Sequence, residues 1–466
     1  MKLLRFVLAV IMLAFAVSAV AQEITGTILG SVKDPTGAVV PAASVTVLNT
    51  DKNAVIRTVK SNDAGEYVAP LLPIGHYKLT VAAPGFKTTI QKDITLNVND
   101  KLTIGIVLQV GAQETEVTVE ADALQVEQQT PTAAGLINGT QVRELSLNNR
   151  NYEQLVALQP GVSYGGGDQL YVGVMNPNGD SNEVNFSING ARDNANNWTI
   201  DGADNVDRGS NTTLLNYPSV DSIAEFKVLR GMYNPEFGRS MGGQINVITK
   251  SGESRFHGSL YEFFRNDVLN ANSFFNNYYG NERPPLRYND FGGTFSGPIF
   301  IPGHYNTDRN KTFFFYSEEV RRISMAATSS PGVVPTADEK LGNFANPVCV
   351  KFDIGGNCIA TGTQIPTSQW DPVAAAYVKD VFSKLPNPQD VENHLLVSPL
   401  SNIYNYRQEM VKVDHVFSPK LSASFRFMND TIPTQEPTGL WTGLNVGGVA
   451  TTSTNAPGRN ILGRVT

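Results

Sequence analysis

Residues 288–301 read YNDFGGTFSGPIFI and residues 420–432 read KLSASFRFMNDTI. In the first, Phe291, Gly293, Phe295, Gly297 and Ile299 alternate with Asp290, Thr294 and Ser296; in the second, Leu421, Ala423, Phe425 and Phe427 alternate with Ser422, Ser424 and Arg426. Successive side chains of a strand point to opposite faces. Each segment therefore has one apolar and one polar face over about ten residues, the pattern of strands that cross a membrane around a polar lumen. Further strands are expected at 256–265, 312–323 and 404–417, with another starting near Asn460.

The links between these strands alternate as well. They are short around 302–311 and at Ser418 and Pro419, and long after the first, third and fifth strands. Transmembrane barrels have short periplasmic turns and long outer loops, so Cys349 and Cys358, in a long link, are expected outside the cell as a disulfide. An open sheet cannot sit in lipid with unpaired edges, and a plugged barrel has about 22 strands. The sequence is therefore expected to be the N-terminal part of a longer reading frame.

Upstream, Phe186 to Arg192 and Trp198 to Gly202 read as two strands closed by glycine turns, after a stretch from 142 to 162 with helical spacing of Leu145, Leu147, Tyr152, Leu155, Val156 and Leu158. Residues 222–250 follow as SIAEFKVLRGMYNPEFGRSMGGQINVITK. Strand, Arg230-Gly231, Tyr233, Phe237-Gly238, Gly242-Gly243 and a strand ending in Thr249-Lys250 together resemble the plug of TonB-dependent outer-membrane receptors. On that resemblance Arg192, Asp201, Gly202, Glu225, Arg230, Gly231, Arg239, Gly242 and Gly243 are the plug-motif residues. Glu225, Arg230 and Arg239 are expected to meet charges on the barrel wall through solvated pairs worth ~0–1 kcal/mol each, and the glycines to supply positive φ at tight turns.

From Ile24 to Val110, short Val/Ile/Thr/Leu runs alternate with turn signals such as Asp34-Pro35-Thr36-Gly37 and Ala83-Pro84-Gly85, predicting about seven strands of a β-sandwich. The series Gly65-Glu66-Tyr67, Gly75-His76-Tyr77 and Gly85-Phe86 resembles the carboxypeptidase regulatory-like domain, a transthyretin-like, carbohydrate-binding-like fold; the matching residues are turn glycines and core apolars, so the resemblance implies no peptidase activity. Between sandwich and plug, the island Glu116-Val117-Thr118-Val119 resembles the coupling box to which TonB adds a strand, with an ordinary linker as the rival reading. GSLYEFFRND at 258–267 resembles the Oar-like subgroup.

The expected fold is thus mainly β. Residues 1–21, with Lys2, Arg5, an apolar run and Ala19-Val20-Ala21, read as a secretory signal. A sandwich at 22–110, a linker at 111–135, a mixed α/β plug at 136–252 and the first barrel strands at 253–466 follow. The charge balance of −7 argues against a nucleic-acid partner. The five histidines form no metal helix, no phosphate loop is present, and Glu318 and Glu319 point to opposite faces of one strand, so neither an enzyme nor a cofactor or metal is expected.

The resemblance implies an energised receptor in the bacterial outer membrane, with its N-terminal domain in the periplasm. Its partners would be TonB with the inner-membrane complex, outer-membrane lipid and an extracellular ligand, a glycan or a peptide. The alternative is a secreted adhesin or carbohydrate-binding β protein without transport, which would need no detergent.

Overall fold

The computed structural model describes residues 24–111, 116–120, 130–147, 149–164, 184–209, 211–238, 240–326, 332–396, 401–436, 452–455 and 457–466. The signal expected at 1–21 and the plug-motif residue Arg239 lie outside these.

The N-terminal module contains β1 (Gly26–Lys33), β2 (Ser44–Asn49), β3 (Ala54–Lys60), β4 (Glu66–Leu72), β5 (Gly75–Ala82), β6 (Thr88–Leu96), β7 (Lys101–Thr103), β8 (Ile106–Val107) and β9 (Glu116–Glu120). One sheet has the order β4-β1-β7 with β8 also on β1; the other runs β3-β2-β5-β6-β9. The alternating residues Val45 and Val47 on β2 and Tyr77, Leu79 and Val81 on β5 meet Ile28 and Ala69 of the opposite sheet in a dry core. This is the aligned packing of a sandwich. The candidate coupling segment is the sheet's last strand: Glu116 to Glu120 pair in parallel with Thr88 to Lys92 of β6.

The central module begins with β10 (Ala133–Asn138) and α1 (Gly139–Glu144), followed by β11 (Val162–Tyr164), β12 (Phe186–Ile188), β13 (Asn197–Ile200), β14 (Ala203–Asp204), β15 (Ile223–Gly231) and β16 (Gln244–Thr249). Its main sheet has the order β10-β15-β16-β13-β14. The expected helical stretch at 142–162 is not one helix. α1 ends at Glu144 and a separate 3-10 turn spans Tyr152–Leu158; Val142, Leu147, Tyr152, Leu155 and Val156 reach the core while Leu145 and Leu158 are exposed. α1 starts with a capping box in which Asn138 and Gln141 satisfy each other's backbone N–H.

The third module is a curved antiparallel wall of β17 (His257–Asn266), β18 (Leu286–Pro298), β19 (Thr312–Ala326), β24 (Ser401–Ser418), β25 (Leu421–Thr431) and β28 (Gly458–Val465), paired in that order. The long links carry α2 (Phe274–Tyr279), then β20 (Gly332–Val333), β21 (Asn343–Phe352), β22 (Cys358–Gln364), α3 (Pro372–Asp380) and β23 (Leu395–Leu396), and finally β26 (Pro433–Glu436) and β27 (Thr452–Asn455). Cys349 and Cys358 are bonded across the β21–β22 hairpin, with Cα atoms 5.7 Å apart.

The two faces of the wall differ as period two requires. Phe291, Phe295, Val411, Phe417, Leu421 and Phe425 are exposed on the outside, whereas Asp290, Ser317, Glu319, Gln408, Arg426 and Asp430 are buried inside. Eight residues, as from Phe291 to Pro298, tilted by ~40° cover on the order of 20 Å, close to the ~25 Å apolar band of an outer-membrane barrel. On the same face, at the register of Phe291 to Gly293, Glu318, Arg407 and Glu409 form an ion-pair row. No helix among the described residues is long and apolar enough to cross a membrane.

Candidate functional site: the contact between plug and wall

The central module fills the concave side of the wall, and the two share one apolar cluster. Phe315, Met410 and Met428, on the inner faces of β19, β24 and β25, pack into the core that holds Trp198, Phe226 and Val247. Around this patch the contact is polar, because the inner face of the wall is polar.

Its centre is Asp201. The dipeptide Asp201-Gly202 forms the two-residue turn between β13 and β14, with φ of 50° and 82°. Positive φ at both central residues is the signature of the type I′ hairpin turn that Asp-Gly favours. That turn carries the Asp201 carboxylate to the wall. Lys412 on β24 lies directly opposite Arg426 on β25, and like charges facing each other across two strands repel. Asp201 answers both: its Oδ2 accepts from Arg426 Nη1 at 2.8 Å, and Lys412 Nζ is 3.5 Å from its Oδ1. The same carboxylate accepts from Thr249 N at 2.9 Å and Thr249 Oγ1 at 2.6 Å, fastening the end of β16 to the end of β13. Burial would raise the Asp201 pKa, but Lys412, Arg426 and the Thr249 bonds outweigh it and hold the group below the ordinary carboxylate range.

A second set of contacts lies around residues 149–152. Arg150 donates to Asp221 at 2.6 Å, has its Nε 3.5 Å from Asp290 on β18 and stacks over Tyr261 and Phe263 of β17. Arg321 on β19 donates to Asn151 Oδ1 at 2.9 Å and is 2.8 Å from Glu319, and Arg265 donates to Asn149 at 2.7 Å. Asp430 on β25 accepts from Tyr217 N at 2.9 Å and Asn216 Nδ2 at 3.1 Å.

Two sequence expectations need correction. Glu225 and Arg230 do not face the wall: Glu225 accepts from Val98 N of the sandwich at 2.6 Å, and Arg230 donates to Pro160 O of the plug itself at 2.6 Å. They sit on opposite faces of β15: Glu225 turns to the sandwich, beside Lys227, and Arg230 to the plug's own turn at Pro160. The contacts that do reach the wall are not solvated, since Asp201 and Arg426 are 2% and 1% exposed. The ~0–1 kcal/mol of a surface pair does not apply; removing one partner of a buried pair costs about 3–5 kcal/mol.

The glycines divide in the same way. Gly202 occupies the left-handed region, but Gly231, Gly242 and Gly243 do not. A Cβ on Gly242 would lie 2.4 Å from Asn196 Oδ1, and one on Gly243 2.4 Å from the Ile188 side chain. Close approach, and not turn geometry, excludes a side chain there. Arg192 is exposed at the start of a 3-10 turn, Asp193–Ala195.

On the opposite side the plug rests on the sandwich. Lys227 Nζ pairs with Asp100 Oδ1 at 2.8 Å, and Asn246 donates to Asn99 at 3.1 Å. Ile24, Val98 and Ile248 form a small apolar contact beside them. Burial pushes the Glu225 carboxyl up to about 7, with the Val98 N–H and Lys227 opposing and Asp100 adding to the rise. Among the described residues no group of three His, Cys, Asp or Glu side chains could hold a metal ion.

Comparison with known proteins agrees with this arrangement in order along the chain. Residues 27–109 match the carboxypeptidase regulatory-like domain, 126–244 the TonB-dependent receptor plug domain and 248–464 an outer membrane β-barrel domain. The chain belongs to the TonB-dependent receptors of the bacterial outer membrane. It is 27% identical over 314 residues to the TonB-dependent transporter Oar of Myxococcus xanthus, a match that covers 65% of this chain and 27% of that protein. The chain thus spans about a quarter of that curated relative's length. Among solved structures it is similar to the outer membrane transporter YddB of Escherichia coli, with a TM-score of 0.39 and 13% identity over 66% of this chain and 34% of that one. It is also similar to the siderophore receptor PirA of Acinetobacter baumannii, with a TM-score of 0.33 and 13% identity over 71% and 44% of the two chains.

Sequence reasoning did not single out Lys412, Arg150, Arg321 or Asp430 as site residues. For Lys412, Arg321 and Asp430 the signal was present: a charged side chain at an inward position of an alternating strand faces the lumen and needs a counter-charge there.

Proposed function

We propose that this receptor takes up an extracellular ligand, a glycan or a peptide, through the lumen that the plug fills, driven by TonB and its inner-membrane complex. The observation that carries the reading is Asp201, a plug residue buried between two wall cations. Such a plug closes the path at rest, because freeing it takes the counter-charge from Lys412 and Arg426, two side chains buried against the plug. That costs several kcal/mol, more than thermal motion supplies often, so opening needs an external source of work.

The segment Glu116–Glu120 is proposed as the place where TonB adds a strand, since its outer edge has no partner among the described residues and backbone groups on an open edge accept another strand. The outward apolar band argues against the soluble adhesin reading, because a secreted sandwich gains nothing from Phe291, Phe295, Phe417 and Phe425 in water.

Crosslinking tests the coupling. A Val117→Cys receptor in its native membrane is expected to form a disulfide with a cysteine placed in the periplasmic strand region of TonB, and removal of residues 116–120 to stop ligand uptake while leaving cell-surface ligand binding intact. Uptake at the normal rate by the deleted receptor would contradict it.

A further inference from the structure

Beneath the plug lies a cavity of about 560 Å³. Its plug side includes Asp201 and the segment from Thr249 to Glu253; its wall side includes Ser296, Lys412, Ser422 and Arg426. The remaining side is supplied by the sandwich, through the loop at 49–52 and the turn Pro73-Ile74-Gly75. The wall strands that border it do so at the ends joined by short links, which is the periplasmic end of a barrel. A solute passing between plug and wall would therefore leave through this space, onto the sandwich.

The sandwich is tied to the wall there by few contacts. Lys52 Nζ is 3.5 Å from Asp414 of β24, the two side chains being 13% and 12% exposed, and it lies 5.3 Å from the centre of the Phe313 ring. Ser254 N donates to Asp51 O at 2.9 Å, and Val416 packs against the sandwich core. β9 is attached differently. Its five residues pair in register with β6, so a pull along the strand loads the whole ladder in shear. The ladder joins β9 to the sandwich across five residue pairs, so a pull on β9 is passed to the sandwich.

From this geometry we infer that the sandwich is a movable floor over the periplasmic mouth of the transport path, and that β9 is the handle by which the coupling protein lifts it. The inference rests on the proposed uptake reading and adds a second gate to it: the plug closes the lumen, and the sandwich closes the exit.

Labelling of a cavity position tests this in the full receptor in outer membranes. A Ser422→Cys receptor is expected to react readily with a small maleimide and slowly with a bulky maleimide–polyethylene glycol presented from the periplasmic side. Adding Lys52→Glu, which turns the Asp414 attraction into repulsion, should speed the bulky reagent at least about tenfold. The small reagent's rate should not change, which also shows that the variant is folded. In energised cells the bulky reagent should gain in the same way, and removal of residues 116–120 should abolish that gain while sparing the effect of Lys52→Glu. Equal bulky-reagent rates for the receptors with and without Lys52→Glu would overturn the floor. A normal energised gain in the receptor lacking 116–120 would overturn the handle. Failure of the Val117→Cys crosslink, by contrast, would sink the coupling reading and leave the Lys52→Glu comparison to judge the floor.

Discussion

The plug has two interfaces of different construction. Against the wall it contributes a shared apolar cluster with Phe315, Met410 and Met428 and buried charges on several strands; against the sandwich its described contacts include the Lys227–Asp100 ion pair, hydrogen bonds of Glu225 and Asn246 and a small aliphatic patch. The wall contact holds nearly buried charges, Arg426 and Asp201 being 1% and 2% exposed. The sandwich contact is made by one short loop, 97–100, and its Lys227–Asp100 pair is less buried, at 7% and 11% exposure. The first interface is built to resist, and the second to release before it.

Asp201 offers the sharpest way to break this contrast. Asp201→Asn keeps a residue that tolerates the left-handed turn but removes the counter-charge from Lys412 and Arg426. Plug seating is expected to weaken by about 3–5 kcal/mol, read as a lower denaturant midpoint for protection of the plug from protease. Adding Lys412→Met and Arg426→Met should restore most of the loss, because apolar replacements of a buried charge set are often neutral. No shift in Asp201→Asn would remove this residue from the account.

On the sandwich side, Lys227→Met leaves Asp100 without its cation, but that pair is the less buried one. A smaller loss of about 1–2 kcal/mol in docking is expected, seen as faster cleavage between sandwich and plug with unchanged protease resistance of the plug. Equal damage to both interfaces would erase the distinction.

Docking should also depend on pH. Glu225 has its carboxyl raised to about 7 when buried against Val98, against ~4.3 in water. Between those values the docked state holds a proton that the undocked state does not, so docking is favoured at the acid end and weakens as pH rises through 7. From pH 6 to pH 8 the docking constant is expected to fall by up to about tenfold, with no further change above. Glu225→Gln should flatten this profile. The smallest effect belongs to Cys349→Ser, which opens only the β21–β22 hairpin and should leave both plug interfaces unchanged in the same protease assays.

The wall was readable residue by residue because its cause is local: lipid on one face and a polar lumen on the other impose period two on Phe291 to Ile299 and on Leu421 to Phe427. The turn at Asp201-Gly202 was equally local. What Asp201 does was not, since Arg426 is 225 positions away, and a spacing argument reaches only neighbours on one element. For the same reason Glu225 and Arg230 looked like lumen charges. Their charge was legible, but what lies against each face of β15 was not. Gly242 and Gly243 were recognised as required, for a reason that only the packing of Asn196 and Ile188 reveals.

The central claim is that the wall has hydrocarbon on one side and the plug on the other. Single cysteines at 421, 423, 425 and 427 and at 422, 424 and 426, placed in the full receptor in outer membranes, can be tested for contact with a lipid-confined quencher. The account predicts strong quenching at the four odd positions and none at the three even ones. Uniform quenching, or uniform labelling by a water-soluble reagent along the strand, would contradict it.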